Sequence, residues 1–206
     1  MARHITGREG IVEIRESLSP AFAEEIGGMA RNARLTLNTV VQGAWAPILS
    51  RYGGGDDVMF GAVQSGRPPE LAGVEDMVGL FLNTVPVRVR IPPERKLIEW
   101  LQELQSAQRD RERFGHVALT DIQRWSDISS PQALFDSLLI VENYPLSIEN
   151  AFAGETMDLT VKDAGSYERT NYPLTLKILP GKIIDISLTI DASRIEPAAA
   201  KRLITH

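Results

Sequence analysis

The side chains that could do chemistry in this chain are few and widely spaced. Its histidines, His4, His116 and His206, are never adjacent. His4 and His206 lie near the ends of the sequence, where a base is hard to hold in place. His116 follows Gly115 at the expected end of a helix, where a cation would suit the dipole. No carboxylate pattern surrounds it to orient a general base, so a structural place outweighs a catalytic one. Asp56-Asp57 and Glu24-Glu25 are adjacent pairs whose carboxylates diverge on a strand or helix. A solvated role suits them better than a glycosidase-like pair. The absence of cysteine removes thiol nucleophiles, disulfides and Cys-ligated zinc. The H-E-x-x-H, G-x-S-x-G and Walker patterns are missing too. No catalytic residue and no metal ligand is assigned.

Binding is better represented than catalysis. Gln64-Ser65-Gly66-Arg67-Pro68-Pro69-Glu70 opens a stretch without regular pattern that runs to Val78. A loop of that length in a compact domain is either functional or a solvated surface connection. Arg67 could tie the loop down through a carboxylate or meet a phosphate, and the tie is favoured because prolines already stiffen its far side. Asn83-Thr84 sits where an apolar run meets a strand. Its side chains could hydrogen-bond an extended amide-rich ligand, or equally cap backbone groups at the strand end.

The elements that must position these residues follow from periodicity. Val85, Val87, Val89 and Ile91 alternate with Pro86, Arg88, Arg90 and Pro92, the pattern of a strand buried on one face. Pro86 assigns it to an edge or a strand entry. Gly79 to Leu82 is apolar throughout, so the segment is expected to start inside and run outward. Upstream, Gly10 to Ile14 predicts a short strand and Ser19-Pro20 a helix start. Phe22, Ile26, Met29, Ala30 and Ala33 form that helix's apolar face, weakened by Gly27-Gly28 at about 1 kcal/mol per glycine. Thr36 caps a second helix, whose wide stripe of Val40, Val41, Ala44, Trp45, Ile48, Leu49 and Tyr52 predicts that it is mostly buried. Gly53-Gly54-Gly55 stops it; glycines after a helix C-terminus cannot form a phosphate loop.

Val58 to Val63 reads as a strand covered on both faces. Leu97, Leu101, Leu104 and Gln108 mark one face of a helix fading near Phe114-Gly115, with Trp100 at its margin. Thr120 is expected to cap a brief helix containing Ile122 and Trp125. Leu138 to Val141 is a buried strand, and Met157-Leu159-Val161 alternates as another. Leu174-Leu176-Ile178 and Ile184-Ile186-Leu188-Ile190 flank Pro180-Gly181 as a hairpin, and Glu196-Pro197 starts a last helix. That helix breaks off before its apolar face is complete. Residues 1–206 read as one domain, cut at both ends, without repeats or an internal linker.

Bulk properties set the class. At 206 residues, 43% hydrophobic and 24% charged, the chain can bury one sizeable core. A net charge of -5 argues against general nucleic-acid affinity. No apolar run approaches the ~20 residues of a membrane span, and no signal peptide is visible. A cytoplasmic location is expected.

Taken in order, V-G-L-F-L-N-T-V-P-V-R from Val78 to Arg88 resembles the (I/V)-G-x-F-(V/I/L)-N-T-x-x-x-R motif of condensation domains from nonribosomal peptide synthetases. Further likeness follows in the family's order. Thr36 to Phe60 resembles the helix and strand opening the second half of such a domain. Ser65-Gly66-Arg67-Pro68 with Met77-Val78-Gly79 resembles its next segment. His116 to Ile122 is a degenerate version of the following motif, and Phe135 to Pro145, ending V-E-N-Y-P, resembles a further one.

The resemblance implies an α/β (α+β) fold: a chloramphenicol-acetyltransferase-like lobe with a mixed sheet packed by helices. It would be one half, the C-terminal half, of a two-lobed domain. The family's His-His-x-x-x-Asp-Gly motif belongs to the other lobe. The intact domain would join a carrier-bound thioester donor to a carrier-bound amine, forming an amide. Peptidyl or acyl carrier domains would be partners, alongside the N-terminal lobe and an adenylation domain of the same synthetase. No cofactor is implied beyond the carriers' phosphopantetheine arms. On this reading the substrate-binding candidates are Gln64, Ser65, Gly66, Arg67, Asn83 and Thr84, and Ser65 and Asn83 should share one rim of the sheet. The exposed face of a half-domain implies self-association. The alternatives are a non-catalytic carrier-binding module, an epimerization or heterocyclization relative, or another acyltransferase of the fold.

Overall fold

The computed structural model describes residues 4–8, 10–67, 71–128, 131–142 and 170–206. Two strands, β1 (His4–Arg8) and β2 (Ile11–Leu18), precede two helices, α1 (Pro20–Ala33) and α2 (Leu37–Gly53). Strands β3 (Asp57–Ser65) and β4 (Leu82–Arg90) are joined by a long loop containing one 3-10 turn, Val74–Asp76. Then come α3 (Leu97–Glu112), α4 (Leu119–Trp125), β5 (Ser137–Val141), β6 (Leu174–Leu179), β7 (Ile184–Asp191) and α5 (Pro197–Thr205).

Among the described residues the strands form one seven-stranded sheet in the order β1-β2-β7-β6-β5-β3-β4. The β3–β5 and β5–β6 pairs are parallel and the others antiparallel, so the sheet is mixed, as expected. The hairpin read around Pro180-Gly181 is β6–β7, with Leu176 opposite Leu188 and Ile178 opposite Ile186. Strand β1 has no counterpart in the sequence reading, which saw only the strand after Gly10. That glycine turns the chain between them at φ 79. The alternation expected at Met157-Leu159-Val161 lies outside the described residues.

Helix starts follow local chemistry. The Ser19 Oγ accepts from the Phe22 N–H with Pro20 in the first turn, and the Thr36 side chain accepts from the Thr39 N–H. Gly54 ends α2 in the left-handed conformation. The brief helix differs from expectation: Ala118 stands at its N-cap, and Thr120 lies inside it.

The core gathers Ile14, Trp45, Phe60, Val87, Leu139, Leu188 and Ile190, all nearly solvent-free. Burial of α2 departs from its apolar stripe. Trp45 and Ala46 are buried, while Ala44 and Tyr52 are exposed and Thr39, Gln42 and Gly43 are buried instead. The cause is α3, which packs across that side: a Cβ on Gly43 would collide with Leu101. Thr39 Oγ1 donates across the seam to Gln105 Oε1 at 3.0 Å. On α3, Leu101 and Leu104 are buried as expected, but Leu97 is exposed. Trp100 is buried rather than marginal, its indole N–H donating to the Arg90 carbonyl at 3.1 Å.

Strand β4 follows its alternation. Val85, Val87 and Val89 are buried, Arg88 and Arg90 exposed, and the strand is an edge of the sheet as Pro86 requires. The segment before it does not start inside. Val78 and Leu80 are 104% and 89% exposed, because they lie on a loop whose residues from Asp76 to Leu80 all face outward, and the chain turns inward only from Phe81.

Candidate functional site

Antiparallel pairing gathers the sequence candidates at the loop end of the β3–β4 hairpin. Gln64 stands opposite Asn83, Val63 opposite Thr84 and Ser65 opposite Leu82. Ser65 and Asn83 therefore share one rim. The ladder continues past the strands, since the Gly66 N–H donates to the Phe81 carbonyl. A Cβ on Gly66 would run into that same oxygen, so the close backbone approach needs glycine here.

Arg67 closes the base of the loop. Its guanidinium donates to the Val74 carbonyl, and to the Met77 carbonyl at 2.8 Å. Its central carbon lies 4.2 Å from the centroid of the Phe81 ring. Arg67 is thus a tie, as favoured from sequence, and it holds two main-chain carbonyls and a ring. A planar fork with several donors suits two divergent carbonyls better than an ammonium would.

Asn83 is held by hydrogen bonds in both senses. Its Nδ2 donates to the Gly115 carbonyl at 2.7 Å and the Val117 carbonyl at 2.8 Å, while its Oδ1 accepts from the Thr84 N–H at 2.9 Å. The turn between α3 and α4 is thereby seated on the hairpin, with His116 exposed on it. Gln64 supports the same turn, and a Cβ on Gly115 would stand 2.6 Å from its Nε2. The anchoring roles of Gly115 and Val117 were missed from sequence. No local pattern signals a carbonyl acceptor so far along the chain.

A second polar group lies at the other end of the hairpin. Arg88 grips Asp57 through two bonds, Nε to Oδ1 at 2.8 Å and Nη2 to Oδ2 at 2.7 Å, and Arg90 Nε reaches Oδ2 at 3.2 Å. The Arg88 hydrogen bond, helped by Arg90, lowers the Asp57 pKa to about 2. Asp57 is therefore paired rather than merely solvated, which adjacency to Asp56 could not reveal. Arg88 and Arg90 share one face through the period-2 pattern, a signal that was available. An open groove of about 580 Å³ here is lined by Asp57, Arg88, Arg90, Arg95, Trp100 and Glu103, among others. Its charges pair internally, Arg95 with Glu103 and both β4 arginines with Asp57.

Among the described residues no three His, Cys, Asp or Glu side chains converge on a metal-sized site. No described helix is long and apolar enough to cross a membrane.

Comparison with known proteins adds a family. The family described as Condensation domain matches residues 10–206. One of the linear gramicidin synthase proteins of Brevibacillus parabrevis is 45% identical over 192 residues, covering 93% of this chain and 4% of that protein. Chondramide synthase cmdD of Chondromyces crocatus is 39% identical over 191 residues, covering 92% and 5%. Among solved structures, the first condensation domain of the calcium-dependent antibiotic synthetase, in complex with a substrate analogue, superposes with a TM-score of 0.72. It is 15% identical, covering 100% of this chain and 44% of that one. A four-domain nonribosomal peptide synthetase bound to AMP and glycine gives 0.76 at 14% identity, covering 93% and 16%. The chain thus spans a small fraction of its curated relatives and under half of that solved condensation domain.

Proposed function

The chain belongs to the condensation-domain family, and from that membership we propose that it is the C-terminal lobe of an amide-forming condensation domain in a nonribosomal peptide synthetase. Condensation domains are acyltransferases, and the fold here is the mixed α/β fold of that family. The observation that carries the lobe reading is coverage. All of this chain superposes on a solved condensation domain, yet it accounts for only 44% of that domain.

In the proposed reaction, a thioester donor on one carrier protein is attacked by an amine on another. Both arrive on phosphopantetheine arms through a tunnel between lobes. Adenylation and carrier domains of one cytoplasmic synthetase would be its neighbours. This lobe supplies one wall of the tunnel and part of the carrier-docking surface. Ser65 and Thr84 offer side chains to an extended arm, while Gln64, Gly66, Arg67 and Asn83 shape the rim that presents them. The exposed Val78 and Leu80 belong to a loop that would cross to the other lobe.

The isolated chain is then expected not to condense thioesters. General-base assistance is typically worth about 10²–10⁴-fold, and the family's paired-histidine motif is not in these 206 residues. Alignment of two reactants can contribute roughly 7–11 kcal/mol, and one wall cannot align two arms. Aminolysis is assayed with loaded donor and acceptor carriers, using this chain alone, with a separately expressed N-terminal lobe, and with neither. Turnover should appear only when both lobes are present. Rate enhancement by this chain alone, abolished by His116→Ala, would overturn the reading.

A further inference from the structure

We infer that Asn83 is a positioning residue: its carboxamide clasps the turn between α3 and α4 that carries His116, and does not itself bind the substrate arm. This deepens the proposed function and rests on the reading of the β3–β4 rim as substrate-facing.

A primary amide has two N–H donors, and here both are engaged, one on the Gly115 carbonyl and one on the Val117 carbonyl. The Oδ1 accepts from the Thr84 N–H. Turning the amide over would set its oxygen against two carbonyl oxygens and its NH2 against an N–H, so only one orientation satisfies all three partners. The anchored carbonyls flank His116, which fixes the backbone on either side of an exposed imidazole.

The opposite strand reaches the same turn. Gln64 pairs with Asn83 in register, and its carboxamide end packs against Gly115. The turn therefore rests on both strands of the hairpin at once. An Asn83 that turned to a substrate amide would leave the Gly115 and Val117 carbonyls without these donors. The geometry favours the clasp.

The test starts with the unmodified chain, labelled with nitrogen-15. The Asn83 side-chain NH2 protons should exchange with solvent about tenfold more slowly than those of exposed glutamines such as Gln132. Equal exchange overturns the inference. Two variants follow, each checked for unchanged core resonances at Leu139 and Leu188. Asn83→Ala should shift the Gly115, His116 and Val117 amides. Asn83→Asp should shift them at neutral pH, where a carboxylate cannot donate. It should then restore them partly as pH falls through that carboxyl's own titration, because the acid regains one donor. A purely steric role would show no such pH-dependent rescue, and its absence counts against the clasp.

Titration with free pantetheine separates the inference from the reading beneath it. Shifts at Ser65 and Thr84, with Asn83 NH2 exchange unchanged, support both. Direct contact between pantetheine and the Asn83 NH2 overturns the inference while keeping the rim. If pantetheine shifts nothing at the rim, the substrate reading falls, and the exchange data still decide the clasp.

Discussion

Arg67 and Phe81 meet face on at the base of the β3–β4 loop, the guanidinium carbon 4.2 Å from the ring centroid. The same guanidinium reaches the Val74 and Met77 carbonyls, so one side chain fixes three points of the loop. Arg67→Lys keeps the charge but loses the fork and the stacked plane. We expect a loss of about 1–2 kcal/mol in loop protection, read as faster amide exchange at Gly66 and Met77. Unchanged exchange at both amides would show that the tie is not what orders the loop.

Gly66→Ala should destabilise the fold by about 1–3 kcal/mol, because the added Cβ meets the Phe81 carbonyl oxygen. Gly55→Ala is the matched control, with nothing within 4 Å of its Cβ, and should change stability by less than about 0.5 kcal/mol. Urea denaturation of both variants checks the contrast. Equal midpoints would refute the close-approach argument.

The Asp57 pair predicts a pH dependence. The folded-state pKa is lowered to about 2, below the roughly 3.9 of an unfolded aspartate. Its stabilising contribution is therefore fully present above about pH 4 and is lost as pH falls through the folded value. The group is exposed, so salt should weaken the effect. An NMR titration of the Asp57 carboxyl carbon should show a midpoint near 2, moving upward in Arg88→Ala. A midpoint near the ordinary value in both proteins would remove the pair from the account.

Exposed apolar side chains on the same loop predict self-association. Val78 and Leu80 stand almost fully free of the rest of the chain, and Leu71 and Leu82 are also exposed. Exposed apolar side chains of this size favour contacts between copies or with a partner. Sedimentation should show a dimer or a concentration-dependent mixture. Replacing Val78 and Leu80 with serine should weaken association by about tenfold or more, at a cost consistent with two unburied side chains. A clean monomer at all concentrations would contradict the expectation.

Much of the scaffold was legible because it rests on short-range rules. Ser19 and Thr36 start helices by bonding their own backbone a turn ahead. The period-2 valines of β4, its proline and the Pro180-Gly181 hairpin each carry their signal within a few residues. Long-range packing was not legible. Thr39 and Gln42 are buried because another helix crosses them, which no polar periodicity announces. The start inside expected for Gly79 to Leu82 was misread, since an apolar run alone does not say whether its loop lies in the core or on the surface. At the rim, the shared position of Gln64 and Asn83 followed from the motif order. The partners of Asn83 lie 32 and 34 residues further along the chain, and only tertiary structure pairs them.

The edge strand carries one more consequence, through Pro86. A neighbouring molecule laid alongside β4 would look for a continuous row of main-chain donors and acceptors to copy, and at Pro86 the donor does not exist. Template-like growth from this side is interrupted at its midpoint. Copies that meet through the loop's apolar tips are held by side chains alone, so their assemblies on that side should stay finite and dissolve on dilution, instead of maturing into fibres.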